Sequence, residues 1–206
     1  MSVLKSIFGP SKEEIWTQIA NEIGGEFVDR GFWKADGVAF KHKEWTIFLD
    51  SFSRSNGQYG STPYTRIRAP FVNKDGLYFK IYRENFFSSI GKLFGMQDIQ
   101  VGDPYFDKEF IIKGNSEEKI QKLLKSDQLK ELIRRIPKVH FMVKDDDYKL
   151  FSKSFPDGVD MLYFECTGTI KNKETLKNLF LLFSAVLERL VQIDSAYEND
   201  PMVSLT

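Results

Sequence analysis

Reactive side chains are scarce in this chain: two histidines, His42 and His140, and one cysteine, Cys166, in 206 residues. Nucleophilic catalysis and most transition-metal sites need several such groups converging on one point, so their common forms have little to work with. A lone cysteine excludes an intramolecular disulfide framework and fits a reducing compartment. An excess of charge is missing too. Lys and Arg number 29, Asp and Glu number 29, and the isoelectric point is near 6.8, so no global field draws the chain onto nucleic acid or anionic lipid. No run approaches the roughly 18 consecutive apolar residues that span a bilayer. Met1 to Pro10 has neither a long apolar stretch nor a small-residue cleavage site. These absences lead to the expectation of a cytoplasmic protein that calls for no cofactor and no metal.

What the chain does have is 42% hydrophobic and 15% aromatic content, enough for a sizeable core. Ser11-Lys12-Glu13-Glu14 forms a capping box, with Ile15, Ile19 and Ile23 at helical spacing behind it and Gly24-Gly25 as the stop. From Glu26 to Arg83 the texture turns to period two. Segments 27–30, 38–42, 45–52, 64–71 and 77–83 read as an antiparallel meander, the last two forming a hairpin. Residues 85–95 follow as a short amphipathic piece, Gly102-Asp103-Pro104 as a turn, and 109–113 as a strand. Asn115-Ser116-Glu117-Glu118 launches a helix, Asp127 recaps the chain for a second, and Pro137 stops it. Strands at 139–143 and 161–167 read as a second pair, and Asn172 caps a long final helix whose wide apolar stripe runs from Leu176 to Val191. The fold class expected is α+β: an antiparallel, aromatic-rich sheet with helices packed on one face and the long C-terminal helix in the core. One domain over 1–206 is expected, with two subdomains of about 11–95 and 96–198 as the variant.

The block from Val101 through Gly102, Asp103, Pro104, Tyr105, Phe106, Asp107, Lys108, Glu109 and Phe110 to Asn115, then Glu118 and Leu123-Leu124, resembles a pattern of uncharacterised bacterial proteins. There an acidic turn runs through Phe-x-x-x-Phe into a short strand and a capped helix. The resemblance covers roughly residues 45–136. It implies a bacterial domain of unknown function and supplies no catalytic residues. Some members look as if they carry transmembrane helices, which this chain lacks.

Each site candidate has a bland counterpart. His42 and His140 read as solvated or singly hydrogen-bonded histidines, and Cys166, in alternation with Leu162 and Phe164, as a small buried hydrophobe. Asp145-Asp146-Asp147 with Asp157 and Asp160 is the densest acidic run, yet it lacks the calcium-loop spacing. Asn56-Gly57-Gln58-Tyr59-Gly60-Ser61-Thr62-Pro63 has the glycines and hydroxyls of a phosphate-cradling loop without its lysine or its following helix, and otherwise serves as a long hairpin connection. Alternation places Arg66, Arg68, Tyr78, Lys80 and Tyr82 on one solvated sheet face, a basic and aromatic surface suited to an anionic or aromatic-bearing partner. The reading is therefore a non-catalytic binding or interaction module. Its binding residues would be Asn56, Gly57, Tyr59, Gly60, Arg66, Arg68, Tyr78, Lys80 and Tyr82, and its partner a protein or a small anionic ligand, with zero net charge arguing against nucleic acid. Two alternatives stay open: a peripheral membrane or assembly factor using Met1 to Phe8, and an enzyme of unassigned class using the Asp145 to Asp160 cluster.

Overall fold

The structure is a computed structural model that describes residues 9–31, 36–57, 60–83, 97–144 and 155–205. Met1 to Phe8, the amphipathic piece at 85–95 and the Asp145–Asp147 run lie outside the described residues. Helix α1 (Lys12–Ile23) starts on the expected capping box: Ser11 Oγ accepts from the Glu14 amide at 3.1 Å while Glu14 Oε2 accepts from the Ser11 amide at 3.4 Å. Gly24 ends it at φ 73°, where a side chain would be strained.

Strands β1 (Glu26–Val28), β2 (Gly37–His42), β3 (Trp45–Ser55) and β4 (Ser61–Asn73) then form the expected antiparallel run. The hairpin between β4 and β5 (Phe79–Arg83) does not form. The sheet order is β1-β2-β3-β4-β9-β8-β5-β7-β6, so the pair β8 (His140–Lys144) and β9 (Val159–Thr167) is inserted between them. Beyond the Phe48–Arg68 pair β3 and β4 part, and the edge this frees on β4 is taken by β10 (Ala196–Tyr197), with Ala196 opposite Asn73.

The turn at Gly102-Asp103-Pro104 is also a helix start. Asp103 caps α2 (Pro104–Glu109) by accepting from the Tyr105 and Phe106 amides, and β7 (Phe110–Gly114) begins one residue later than expected, beside the edge strand β6 (Gln97–Asp98). The tandem helices α3 (Glu117–Leu124) and α4 (Asp127–Arg134) are present with shifted caps: Ser116 and Ser126 fill the roles expected of Asn115 and Asp127. Asn115 instead ties the turn before β5, accepting from the Tyr78 amide at 2.9 Å. Asn172 caps α5 (Lys173–Gln192) as expected, accepting from the Thr175 amide at 2.8 Å.

Period-two alternation sorts the sheet into two chemically different faces. Trp45, Ile47, Leu49, Ile67, Phe71, Phe79, Ile81, Phe141, Leu162 and Phe164 point one way and pack with α1, α3, α4 and α5 in one large core. All described helices contribute to that core alone, so they do lie on one face, with α5 at its centre. A small second cluster of Phe48, Met142, Met161 and Tyr163 lies on the other side of the sheet. It is covered among the described residues by Phe155 and by Val203 and Leu205 of the coil after β10.

Candidate functional site

The face opposite the helices carries most of the site candidates, in two rows that the strand registers define. One row runs Phe48, Arg68, Tyr163, Met142, Lys80, Lys113 and Asp98 across neighbouring strands; the next contains Asp50 opposite Arg66 opposite Glu165, and His140 opposite Tyr82. Arg66, Arg68, Lys80 and Tyr82 therefore do share a face, although two strands separate the arginines from the other pair. Tyr78 does not join them. It precedes β5, packs at the margin of the helix-side core and donates its hydroxyl to Asp160 at 3.1 Å, where Asn73 also donates at 2.6 Å.

The face is not the solvated surface that alternation alone suggests. Arg68, Lys80, Tyr82 and Tyr163 are buried, and so is Asp50, which sequence reasoning passed over. Asp50 is 1% exposed and gathers three guanidinium groups: Arg66 holds it bidentately at 2.6 and 2.9 Å, Arg68 at 2.9 Å, and Arg30 stands at 3.6 Å. Reversing Arg66 and Arg68 would place three carboxylates together where desolvation makes repulsion expensive, so these positions hold the sheet together as well as charging it. The signal for Asp50 was present, since an acid midway through an aromatic strand, on the parity of two arginines in the next strand, has a partner waiting. Glu165 is similarly settled. Burial alone would raise its carboxyl, but the Tyr163 hydroxyl and Arg54, each at 2.7 Å, outweigh it and hold the group below the ordinary range.

Lys80 is different. It is 8% exposed, faces Met142 on one side and Lys113 on the other, and its side chain has no hydrogen bond or ion pair among the described residues; the Tyr82 ring lies 5.9 Å from its ammonium. Lys113 is satisfied by Asp98 at 2.7 Å and lends nothing to its neighbour. Burial, then the like charge of Lys144, push the Lys80 ammonium below its ordinary range, with Glu165 only partly opposing. Diagonally across from it, His140 has a buried Nε2 without a partner, and burial followed by the Lys80 charge lowers its imidazole to about 4. Tyr82 meets that imidazole edge-on at 6.4 Å, its own hydroxyl pushed up by burial. A largely buried ammonium without an ion pair among the described residues thus stands beside a buried, unpartnered imidazole nitrogen.

The remaining candidates are absorbed by the fold. Asn56, Gly57 and Gly60 belong to the tight connection from β3 to β4: the Asn56 amide donates to the Gly60 carbonyl at 2.8 Å and its side chain to Thr62 at 2.6 Å, while Tyr59 lies outside the described residues. His42 bonds Glu188 of α5 at 3.1 Å. Cys166 is buried in the helix-side core, where desolvation raises its thiol to about 11. Ser195, Lys119 and Asp75 form a serine, lysine and carboxylate cluster, but Ser195 is fully buried and Lys119 is paired to Asp75, so no exposed nucleophile or free base results. Among the described residues, no three His, Cys, Asp or Glu side chains converge as metal ligands, and no helix is long and apolar enough to cross a membrane.

No family model matches the chain, and no curated protein matches it. Among solved structures it is similar to the crystal structure of the mycobacterial trehalose monomycolate transport factor A, TtfA. The TM-score is 0.51 at 6% sequence identity, over 94% of this chain and 98% of that one. At that identity the likeness is one of fold. It extends over nearly the whole of both chains and agrees with the α+β architecture.

Proposed function

We propose that the chain is a non-catalytic binding module that takes an anionic ligand on the sheet face opposite the helices, with Lys80 and His140 as its anchors and Lys144 and Tyr82 beside them. The observation that supports this most is Lys80 itself. An ammonium largely withdrawn from water without an ion pair is destabilised in general, and of the acids in these rows Asp50, Glu165 and Asp98 pair with Arg66, Arg68, Arg54 and Lys113 and not with Lys80, which Glu165 favours only at a distance. A carboxylate or phosphate seated there would accept from Lys80 and, once the ring is protonated, from His140 Nε2. The chemistry read here is recognition, with the Lys80 ammonium and the His140 imidazole as the groups that would donate to the anion.

Titration with inorganic phosphate and with acetate, against chloride at matched ionic strength, tests this. Phosphate or acetate should raise the unfolding temperature of the wild type and move the His140 imidazole pKa upward by NMR, because a bound anion favours its charged form. Lys80→Met should abolish both effects while remaining folded. Equal responses to all three anions, or an undiminished response in Lys80→Met, would overturn the assignment.

A further inference from the structure

Apart from the Lys80 site, we infer that the cavity between the turn after α4 and the start of α5 binds a small organic carboxylate, its apolar body on Pro137, Cys166 and Ile170 and its carboxylate at Lys138 and Lys171. The cavity has a volume of about 240 Å³, short of what drug-sized ligands occupy and enough for a molecule of about ten heavy atoms. Phe164 and Cys166 alternate on the helix side of β9, and the cavity opens beside them between Ile136, past the end of α4, and Ile170, ahead of α5. Ile170 is half-buried and Pro137 exposed, so apolar surface meets water there.

Both walls are fixed before any ligand arrives. In the loop after β9 the Thr65 hydroxyl donates to the Gly168 carbonyl at 2.7 Å and accepts from the Ile170 amide at 2.9 Å, while the Trp16 indole donates to the Ile170 carbonyl at 3.1 Å. Across the cavity, Arg83 donates to the carbonyls of Arg134 and Ile136 at 2.7 and 3.4 Å. A site held in this way loses little freedom on binding.

The charge around it has one sign. Lys138 and Lys171 line the cavity, and no Asp or Glu among the described residues does. Glu165, next to Cys166 in sequence, points to the other face of the sheet and is held there by Arg54 and Tyr163. Lys171 donates to the Pro10 carbonyl at 3.3 Å and lies within electrostatic reach of Glu13, so part of its charge is answered. The exposed Lys138 side chain has no hydrogen bond or ion pair among the described residues, and its charge reaches the cavity wall, where it opposes the rise that burial causes in the Cys166 thiol. A bare inorganic anion would leave the apolar wall wet, and a neutral apolar molecule would leave Lys138 without a partner; an apolar body bearing a carboxylate satisfies both.

NMR of methyl-labelled isoleucine, titrated with benzoate, acetate and benzyl alcohol, separates the ring from the carboxylate. Benzoate should move the Ile136 and Ile170 signals saturably and bind there about tenfold or more tightly than acetate, a small part of what burying a ring allows. Benzyl alcohol should bind severalfold more weakly than benzoate. Lys138→Gln combined with Lys171→Gln, both at exposed positions that leave the fold intact, should bring benzoate down to the level of benzyl alcohol and leave benzyl alcohol unchanged. Lys80→Met should alter none of these responses, which separates this cavity from the sheet-face site. Acetate binding as tightly as benzoate, or benzoate undiminished in the double glutamine variant, overturns the carboxylate assignment. Isoleucine signals that do not saturate overturn the site itself, whatever His140 does.

Discussion

Asp50 and Lys80 lie on one sheet face, both buried, and their charges are handled in opposite ways. Asp50 has more cation around it than it needs, and every polar oxygen is engaged. Lys80 has no ion pair among the described residues and only the partial help of Glu165, and its neighbour His140 bears the cost as well, its proton driven off by burial and by the ammonium. A pH dependence follows. The folded imidazole titrates near 4 while the unfolded one titrates at its ordinary 6.5, so on acidification the unfolded chain binds the proton first. Stability from this group is intact above pH 6.5 and is lost progressively down to about pH 4, on the order of 2 kcal/mol in all. Urea unfolding of wild type and His140→Gln across that interval measures it: the difference between the two profiles should carry the slope. Parallel profiles would mean that His140 is as well solvated folded as unfolded.

At the scale of elements, the helices were legible because their information is local. Ser11 with Glu14, and Asn172 three residues before Thr175, announce starts through side-chain geometry that needs no tertiary context. The stripe on α5 likewise foretold burial, and Phe183 is completely buried, edge-on to Phe141 of β8 at 5.6 Å. Phe183→Ala should therefore destabilise the protein by about 3–5 kcal/mol, with an unchanged denaturant slope if only the cavity is responsible. An unaltered midpoint would remove α5 from the core. What remained hidden was non-local. The six residues of α2 are too few to show periodicity, and Asp103 marks their start only when its two amide bonds are seen. Strand alternation correctly put Arg66, Arg68, Lys80 and Tyr82 on one face, but it is blind to depth. Whether that face meets water depends on what packs over it, and Leu205, more than a hundred residues from Lys80, carries no mark of its destination.

The whole molecule explains the false hairpin. Neighbouring strands in sequence usually pair, yet β4 and β5 are held apart by β8 and β9, which arrive after the tandem helices. The consequence is that each end of the sheet depends on chain from the other end: β4 pairs with β9 along nine residues from Tyr64 to Val72, and β5 pairs with β7 and β8. The core obeys the same rule, since α5 packs on strands from both sides of the insertion. Fragments 1–95 and 96–206, which would correspond to subdomains if the boundary between Gly95 and Met96 were a true one, should then fail to fold separately. Each would expose the unpaired edges of β4, β5 or β9 and half of an apolar sheet face, so far-ultraviolet circular dichroism should show little cooperative unfolding and the amide spectrum little dispersion. Mixed, the two should recover the native strand order, because all the missing pairs are intermolecular ones between them. Cooperative unfolding of either fragment alone would show that its half of the sheet is self-sufficient, and the face that joins Asp50 to Lys80 would then be an interface between two folding units instead of the middle of one.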